Sequence, residues 1–420
     1  MRAHDFSRFA VAAALGVTLA AAPMIPAAAQ APPVELETRM VQMDGHVMRV
    51  KTSGLDSREP GEPVVVFETG AFTPIEGWGE LPARVAAFAP VVAYDRSTIG
   101  QSEWDGEVGT PAHVTAKLWT LLHTLGAEPP YVLVGWSWGG DLVRYHAGSH
   151  PADIAGLVHV DPAGHSPAAR LSVFQAVGFG EEEYTADVEA MEGFLPRFSP
   201  ARQADVKAVN QLYADRREPE YGPVPSVPTA VLVSGRYRPQ APEEVEVPYD
   251  RRAHFEATLR SKVHRLSEWA LATPEGLFVL VRNSGHAIHR DAPELVVHAI
   301  RRAVFPDPAR RLQQMIEQDG ISVLLGAYEA LKDRYPTDQF DEHVLNRLGH
   351  DLLRNGRVDE AIAVFELNVR EYPDAWRPRD SLGDAYRAAG ETERAIESYR
   401  KSLDLNPASP SARKLDELQK

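Results

Sequence analysis

The sequence predicts an α/β domain with a doubly wound, mostly parallel sheet and a helical cap, followed by an all-α domain of helical repeats. From about residue 34 to residue 306, short β-branched segments alternate with helical patterns, as they do when helices cover both faces of a parallel sheet. Between about 162 and 228 the alternation stops and helical patterns dominate, which predicts the cap. Beyond Pro306 the strand patterns end and a repeat of 34 residues begins, which predicts the second domain.

Strands are predicted from short runs of apolar, often β-branched residues that are bounded by turn-forming residues. Asp44-Gly45 joins the first two strands as a tight hairpin turn. The predicted strands are Glu35–Met43, His46–Thr52, Pro63–Phe67, Val91–Tyr94, Tyr131–Gly135, Gly156–Val160, Thr229–Val233 and Leu277–Val281. Helices are predicted near Trp78–Phe88 and at Pro111–Leu125, Asp141–Gly148, Ala201–Ala214 and Pro293–Val304.

Length, charge and cysteine content limit the number of domains, the kinds of partner and the kinds of site that the chain can have. A chain of 420 residues is long for a single core, which favours two domains, at 30–306 and 307–420. The formal net charge of -15 opposes binding to phosphate backbones and to anionic lipid, which argues against nucleic acid and membrane surfaces as partners. The chain has no cysteine, so disulfides, thiolate metal sites and a thiol nucleophile are excluded.

The first 29 residues are predicted to be a signal peptide. Arg2 and Arg8 are basic, Phe9–Ala22 is an apolar run shorter than a membrane span, and three alanines precede Gln30. We therefore expect an exported protein, periplasmic or secreted, with no membrane span after cleavage. An uncleaved N-terminal anchor is the alternative interpretation.

The region after Pro306 carries two clear sequence copies, at about 343–375 and 376–408. Small, aromatic and proline residues recur at an offset of 34 residues. The recurring pairs are Leu348-Gly349 and Leu382-Gly383, Gly356 and Gly390, Ala361-Ile362 and Ala395-Ile396, Phe365 and Tyr399, and Pro373 and Pro407. This pattern resembles the tetratricopeptide repeat family. A weaker pair at about 311–335 and a polar last helix at 411–420 are predicted to cap the stack. The resemblance implies a protein or peptide partner.

The most informative motif is Gly135-x-Ser137-x-Gly139, which lies between an apolar strand and a helix. A serine hydroxyl is a weak nucleophile, and it must be exposed beside a base at a sharp strand-to-helix turn. Glycines two residues on either side tolerate the backbone crowding of that turn. Ser137 is therefore the candidate nucleophile, with a tight turn that only packs as the alternative.

Residues 34–306 resemble the α/β-hydrolase superfamily, because several motifs follow in the family's order. Val64–Gly70 is similar to the third strand and oxyanion loop. Asp95-Arg96 with Gly100-Gln101-Ser102 is similar to the turn after the fourth strand, although Thr98 replaces a frequent glycine. Ser284-Gly285-His286 is similar to the histidine loop. The resemblance implies hydrolysis by a serine nucleophile, an acid and a histidine base.

His286 is the predicted general base, because it follows the last strand and stands beside Gly285. His289 is the competitor. The predicted acid is Asp161, at the carboxyl end of the strand beside the nucleophile strand. The family's usual place, after the seventh strand, offers no acid before Glu243, so the alternatives are Glu243, Glu244 and Asp250.

An oxyanion intermediate needs two backbone N–H donors. Trp138, directly after the nucleophile, is predicted to supply one. The resemblance places the second after Thr69-Gly70, where Ala71 is the expected donor and Phe72 the alternative. Trp136 and Phe72 are the candidate substrate-binding residues, with plain packing as the alternative.

These observations predict an exported serine hydrolase that cleaves a small ester-like molecule through an acyl-enzyme, with small amides or a lactone as alternatives. No metal or cofactor motif is present: His286-x-x-His289 lacks the spacing of a helical zinc site, and no glycine-rich phosphate loop with a lysine occurs. The alternative from another functional class is a binding protein: a catalytically inert hydrolase-like domain whose repeats bind a protein partner.

Overall fold

The structure is a computed structural model and describes residues 32–237, 249–273 and 275–418. Within these ranges, eight strands form one sheet: β1 (Glu37–Gln42), β2 (Val47–Ser53), β3 (Val64–Glu68), β4 (Val91–Tyr94), β5 (Tyr131–Trp136), β6 (Ile154–Val160), β7 (Thr229–Ser234) and β8 (Leu277–Val281). Their order across the sheet is β1-β2-β4-β3-β5-β6-β7-β8. β1 pairs antiparallel with β2, and β2 pairs antiparallel with β4, whereas all the other pairings are parallel.

The helices of the sheet domain cover both of its faces. They are α1 (Leu81–Val85), α2 (Pro111–Thr124), α3 (Trp138–Ser149), α4 (Pro167–Ala176), α5 (Glu181–Phe194), α6 (Pro200–Ala214), α7 (Arg251–Leu271), α8 (Ile288–Asp291) and α9 (Pro293–Val304). Val65 and Phe67 of β3 contact the core formed with α1, α8 and α9, whereas Val64 and Val66 contact the core formed with α2 and α3. Alternate residues of a strand point to opposite faces, so β3 is apolar throughout.

The segment between β6 and β7 forms the cap, with helices α4, α5 and α6. Its apolar core joins Phe174, Tyr184 and Val209 of the cap to Trp138 and Leu142 at the start of α3. The cap therefore packs directly on the strand-to-helix turn that contains Ser137. The predicted doubly wound sheet with a helical cap is confirmed.

Seven helices follow in the described part of the second domain: α10 (Pro308–Asp319), α11 (Leu324–Arg334), α12 (Glu342–Arg354), α13 (Val358–Glu371), α14 (Trp376–Ala388), α15 (Thr392–Leu405) and α16 (Ser411–Leu418). The recurring glycines allow the paired helices to pack closely. A Cβ on Gly349 would come within 2.5 Å of the Phe365 ring, and a Cβ on Gly383 within 2.5 Å of the Tyr399 ring. The same contact between a glycine and an aromatic ring thus occurs once in each repeat, which accounts for the recurrence of these residues. The prediction of an all-α second domain is confirmed.

The predicted signal peptide at 1–29 and the alternative acids Glu243 and Glu244 lie outside the described ranges. In the ranges that are described, none of the helices combines the length and the apolar character that crossing a bilayer requires.

Candidate active site

Ser137 lies at the sharp turn between β5 and α3. Its backbone has φ 57° and ψ -122°, a conformation that residues other than glycine rarely adopt. The flanking glycines are sterically required. A Cβ on Gly135 would lie 2.3 Å from the Gly139 carbonyl oxygen, and a Cβ on Gly139 would lie 2.2 Å from the Glu68 carbonyl oxygen. The turn therefore projects the serine hydroxyl from the carboxyl edge of the sheet.

The His286 imidazole lies between Ser137 and Asp161. Its Nε2 is 2.9 Å from Ser137 Oγ, and its Nδ1 is 2.6 Å from Asp161 Oδ2. An ionised carboxylate can only accept hydrogen bonds, so Nδ1 carries the proton and the Nε2 lone pair faces the serine hydroxyl. This arrangement lets Nε2 take a proton from Ser137 without any movement of the ring.

Four hydrogen bonds from described residues hold the Asp161 carboxylate in place. The Ser234 N–H donates to Oδ1 at 3.0 Å, the Ser234 hydroxyl donates to Oδ2 at 2.7 Å, and Lys262 Nζ donates to Oδ1 at 2.7 Å, in addition to His286. Its side chain is only 2% exposed, and burial alone would raise the pKa. The Lys262 charge and the hydrogen bond from His286 outweigh burial and hold the pKa of Asp161 well below its usual value. The lowered pKa favours the ionised carboxylate, which can pair with the imidazolium.

The alternative base and acid lie elsewhere. His289 Nε2 donates to the Gly77 carbonyl oxygen at 3.0 Å, and burial lowers the pKa of His289 to about 4. Asp250 caps helix α7 and accepts the Ala253 N–H at 2.7 Å. The structure therefore brings Ser137, His286 and Asp161 together and leaves these two alternatives in structural positions.

The predicted oxyanion donors flank the nucleophile. Trp138 is the first residue of α3, where helical N–H groups have no partner within the helix. Gly70 lies against the serine, since a Cβ on Gly70 would be 3.2 Å from Ser137 Cβ. The Ala71 N–H makes no hydrogen bond to any described residue, whereas the Phe72 N–H donates to Asp205 Oδ2 at 2.9 Å. Ala71 is therefore available as the second donor, and Phe72 is not.

A buried network fixes the predicted oxyanion loop to the cap. Arg96 donates to the carbonyl oxygens of Thr69 at 2.8 Å and Gly70 at 3.0 Å, and its Nε donates to Asp205 Oδ1 at 2.9 Å. Asp205 lies on α6, and its side chain is 1% exposed. Because Asp205 also accepts the Phe72 N–H, one carboxylate of the cap fixes both ends of the short loop around Ala71.

A cavity of about 230 Å³ opens beside these donors and beneath the cap. Its walls are mostly apolar and include Ala71, Phe72, Trp138, Phe198 and Val209. Phe72 stacks on Phe198 with ring centroids 4.8 Å apart. The predicted contact of Phe72 with a substrate is therefore consistent with its position.

Trp136, the other predicted substrate-binding residue, is not among the described residues that line this cavity. Its indole N–H donates to the His286 carbonyl oxygen at 2.9 Å, and its ring packs against His289 with centroids 4.6 Å apart. The indole of Trp136 thus supports the loop that carries the base, and contact of Trp136 with a substrate stays a prediction.

Three residues that contact the site were not predicted: Ser234, Lys262 and Asp205. Lys262 lies on α7, an unpredicted helix, although Phe255, Leu259, Val263 and Leu266 recur at the spacing of an apolar helical face. Asp205 lies on a predicted helix, but its contacts with Arg96 and Phe72 join residues more than 100 positions apart. No local pattern in the sequence marks such a contact.

Residues 65–299 match the model of the alpha/beta hydrolase family, and residues 346–410 match a tetratricopeptide repeat model. The chain is 28% identical over 238 residues to the uncharacterized protein YqjL of Bacillus subtilis (strain 168), covering 56% of this chain and 81% of that protein. It is 21% identical over 289 residues to an AB hydrolase superfamily protein of Gibberella zeae, covering 58% of this chain and 87% of that protein.

The repeat region has its own relative. The chain is 30% identical over 131 residues to the chloroplastic tetratricopeptide repeat domain-containing protein PYG7 of Arabidopsis thaliana, covering 31% of this chain and 38% of that protein. The alpha/beta hydrolase match spans more than half of the chain and includes strands β3 to β8 from Val65 onward, the cap, and the hydrogen-bonded serine, histidine and aspartate. The chain is therefore a member of the alpha/beta hydrolase family with C-terminal tetratricopeptide repeats.

Proposed function

We propose that this protein hydrolyses carboxylic esters through an acyl-enzyme on Ser137, with small amides or a lactone as the next substrates to consider. The observation that supports the proposal is the continuous hydrogen-bonded chain from Lys262 and Asp161 through His286 to the Ser137 hydroxyl. A serine at a strained turn, an oriented imidazole and a buried ionised carboxylate are the components that nucleophilic acyl transfer requires.

In the first half-reaction, Ser137 Oγ attacks the ester carbonyl carbon while His286 Nε2 accepts its proton. The N–H groups of Trp138 and Ala71 stabilise the negative oxygen of the tetrahedral intermediate. The intermediate collapses as the imidazolium returns the proton to the departing alcohol, which leaves the acyl group on Ser137. Asp161 stabilises the imidazolium in both directions of proton transfer.

In the second half-reaction, water takes the place of the alcohol. His286 Nε2 accepts a proton from the water as its oxygen attacks the acyl carbon, and then returns the proton to Ser137 Oγ. The carboxylic acid leaves and the resting site is restored. The mostly apolar cavity beside Trp138 and Phe72 is the proposed place for the larger apolar part of the substrate.

The direct experiment treats the full chain with a fluorophosphonate probe and with p-nitrophenyl esters of increasing acyl length. We expect a single covalent adduct on the peptide that contains Ser137 and hydrolysis of at least one ester. Heat-denatured protein is the control for non-specific labelling. A folded chain that takes up no probe and hydrolyses none of the esters would favour the alternative, an inert platform whose repeats bind a protein.

Export is part of the proposal and rests on the N-terminal sequence alone. The basic start, the short apolar run and the alanines before Gln30 lead us to expect that the mature protein begins at or near Gln30, in the periplasm or the medium. N-terminal sequencing of the protein recovered from those fractions tests this. Recovery of a chain that still begins at Met1 would argue for an uncleaved anchor.

The repeats are proposed to bind a protein or an extended peptide, because stacked helix pairs form a concave surface that suits such ligands. The sheet domain has its last strand and closing helix by Val304. On this proposal, deletion of 307–420 removes partner binding and leaves the hydrolysis of a small ester within a few-fold of the full chain.

The hydrogen bonds of Asp205 to Arg96 and to the Phe72 N–H lead to a further prediction. Asp205→Ala should lower ester turnover by about 10²-fold, the size expected when one oxyanion donor is misplaced. It should also lower the free energy of unfolding by about 3–5 kcal/mol, because Arg96 loses a buried partner. Turnover and thermal melting of purified variants provide the two measurements.

Asp205→Asn keeps an acceptor for the Phe72 N–H and serves as the folded comparison if Asp205→Ala does not accumulate. Asp215→Asn, at the exposed end of the same helix, is the matched control and should behave as wild type. Normal turnover in Asp205→Ala would show that the cap does not position the oxyanion loop.

A further inference from the structure

Among the described residues that line the cavity beneath the cap, two have polar side chains: His165, on the loop after β6, and Asn210, on α6. Neither belongs to the hydrogen-bonded chain of Ser137, His286 and Asp161. A cavity that bound only apolar groups would gain nothing from them, because polar groups are costly to bury without a partner. Their surroundings indicate what they are placed to contact.

His165 is fixed by a buried carboxylate. Its Nδ1 lies 2.5 Å from Asp141 Oδ2, and the other Asp141 oxygen accepts the Gly164 N–H at 3.0 Å and the Tyr221 hydroxyl at 3.1 Å. The Asp141 side chain is fully buried, whereas that of His165 is 16% exposed. The His165 ring stands edge-on to Trp138, with centroids 5.2 Å apart. Hydrogen bonding and packing thus leave this imidazole a single orientation.

The fixed orientation determines what the ring offers to the cavity. Because the Asp141 carboxylate accepts from Nδ1, the neutral ring carries its proton there and presents a lone pair on Nε2. Nε2 makes no hydrogen bond to any residue in the described ranges. The His165 side chain therefore has an unused acceptor beside a wall that also contains Trp138, one of the proposed oxyanion donors.

Asn210 supplies the complementary groups. It is 7% exposed, lies on the helix that carries Asp205, and its side-chain amide makes no hydrogen bond to the described part of the chain. An amide offers both a donor and an acceptor. His165 and Asn210 together can therefore bind a group that both donates and accepts, such as a hydroxyl.

We propose that His165 and Asn210 form a polar subsite, and that the substrate is an ester whose apolar part carries a hydroxyl or amide N–H away from the scissile bond. The inference rests on the proposed ester hydrolysis and narrows its substrate class. A cavity of about 230 Å³ accommodates an aromatic ring. A phenolic hydroxyl on such a ring is the simplest probe of the subsite.

The experiment compares methyl 3-phenylpropanoate with its 2-, 3- and 4-hydroxyphenyl analogues, using the full chain and p-nitrophenyl acetate as a reference ester. We expect kcat/KM to be higher for one hydroxylated isomer than for the parent by roughly tenfold, the size expected of one hydrogen bond. The preference should depend on the position of the hydroxyl, because both partners are fixed.

In His165→Phe, which keeps a ring but removes the acceptor, the ratio of the two kcat/KM values should fall to near one. Asn210→Leu has a similar shape and should reduce the same ratio without removing a hydrogen bond from Asp141. His123→Phe, at an exposed histidine on α2, is the matched control and should keep the wild-type ratio. The ratio is internal to each variant, so a loss of folded protein does not change it.

Each result has a definite meaning. Hydrolysis of p-nitrophenyl acetate without a preference for any hydroxylated ester overturns the subsite and leaves the proposed function standing. A preference that survives in both His165→Phe and Asn210→Leu also overturns it. Failure to hydrolyse any of the esters overturns the proposed function together with the subsite.

Discussion

Ser137→Ala should lower kcat for ester hydrolysis by about 10⁵- to 10⁶-fold, because removing the nucleophile of a serine triad leaves only the oxyanion hole and substrate binding. Alanine differs from serine only by the loss of Oγ, so the turn should retain its shape. Among the described residues, the Ser137 hydroxyl is hydrogen-bonded only to the partly exposed His286, so the free energy of unfolding should change by no more than about 1 kcal/mol. Steady-state kinetics and thermal melting of the purified variant provide the measurements.

Ser149→Ala, at the exposed end of the same helix α3, is the matched control and should retain full activity. The Ser137→Ala variant should also fail to react with the fluorophosphonate probe. Turnover above roughly a tenth of wild type would be incompatible with a nucleophilic Ser137.

Asp161→Asn should lower kcat by about 10⁴-fold. An asparagine amide can donate to His286 Nδ1, which places the ring proton on Nε2, facing the serine hydroxyl that it must deprotonate. The change also removes the negative charge that pairs with Lys262 at 2.7 Å. We therefore expect a lower melting temperature together with the kinetic loss, and both can be measured on one preparation.

The stability effect can be separated from the catalytic effect by a second change. Asp161→Asn combined with Lys262→Met removes the unpaired cation and should recover much of the melting temperature without recovering turnover. Asp250→Asn, at the cap of α7, serves as the control acid and should stay within a few-fold of wild type. Recovery of turnover in the double variant would show that Asp161 acts through stability and not through His286.

The fold was predictable because it follows from local patterns. A buried parallel strand such as β3 must be apolar on both faces, and the repeats must return small residues such as Gly349 and Gly383 at a fixed interval, so both leave a periodic signal. Ser137 is also marked in the sequence, because the crowded turn excludes side chains at Gly135 and Gly139 and so requires glycine on both sides of the serine. Asp161 was a weaker prediction that rested on its place at the end of β6.

The parts of the site that escaped prediction are those made by distant residues. Lys262 reaches Asp161 across 101 positions, and Asp205 reaches Phe72 across 133 positions. Neither contact imposes a pattern on the residues that neighbour Lys262 or Asp205 in the sequence. The hydrogen bond from the Trp136 indole N–H to the His286 carbonyl oxygen spans 150 positions and was likewise not predicted.

Because one carboxylate, Asp205, binds both Arg96 and the Phe72 N–H, we expect the cap and the predicted oxyanion loop to behave as one cooperative unit. The free energy that docks α6 would then partly be the free energy that preorganises the loop around Ala71, so loosening one should loosen the other. A local unfolding event that releases α6 would therefore inactivate the enzyme while the sheet remains intact. Activity should therefore depend on whether the cap is folded. Heat or mild denaturant should abolish activity before the sheet itself unfolds.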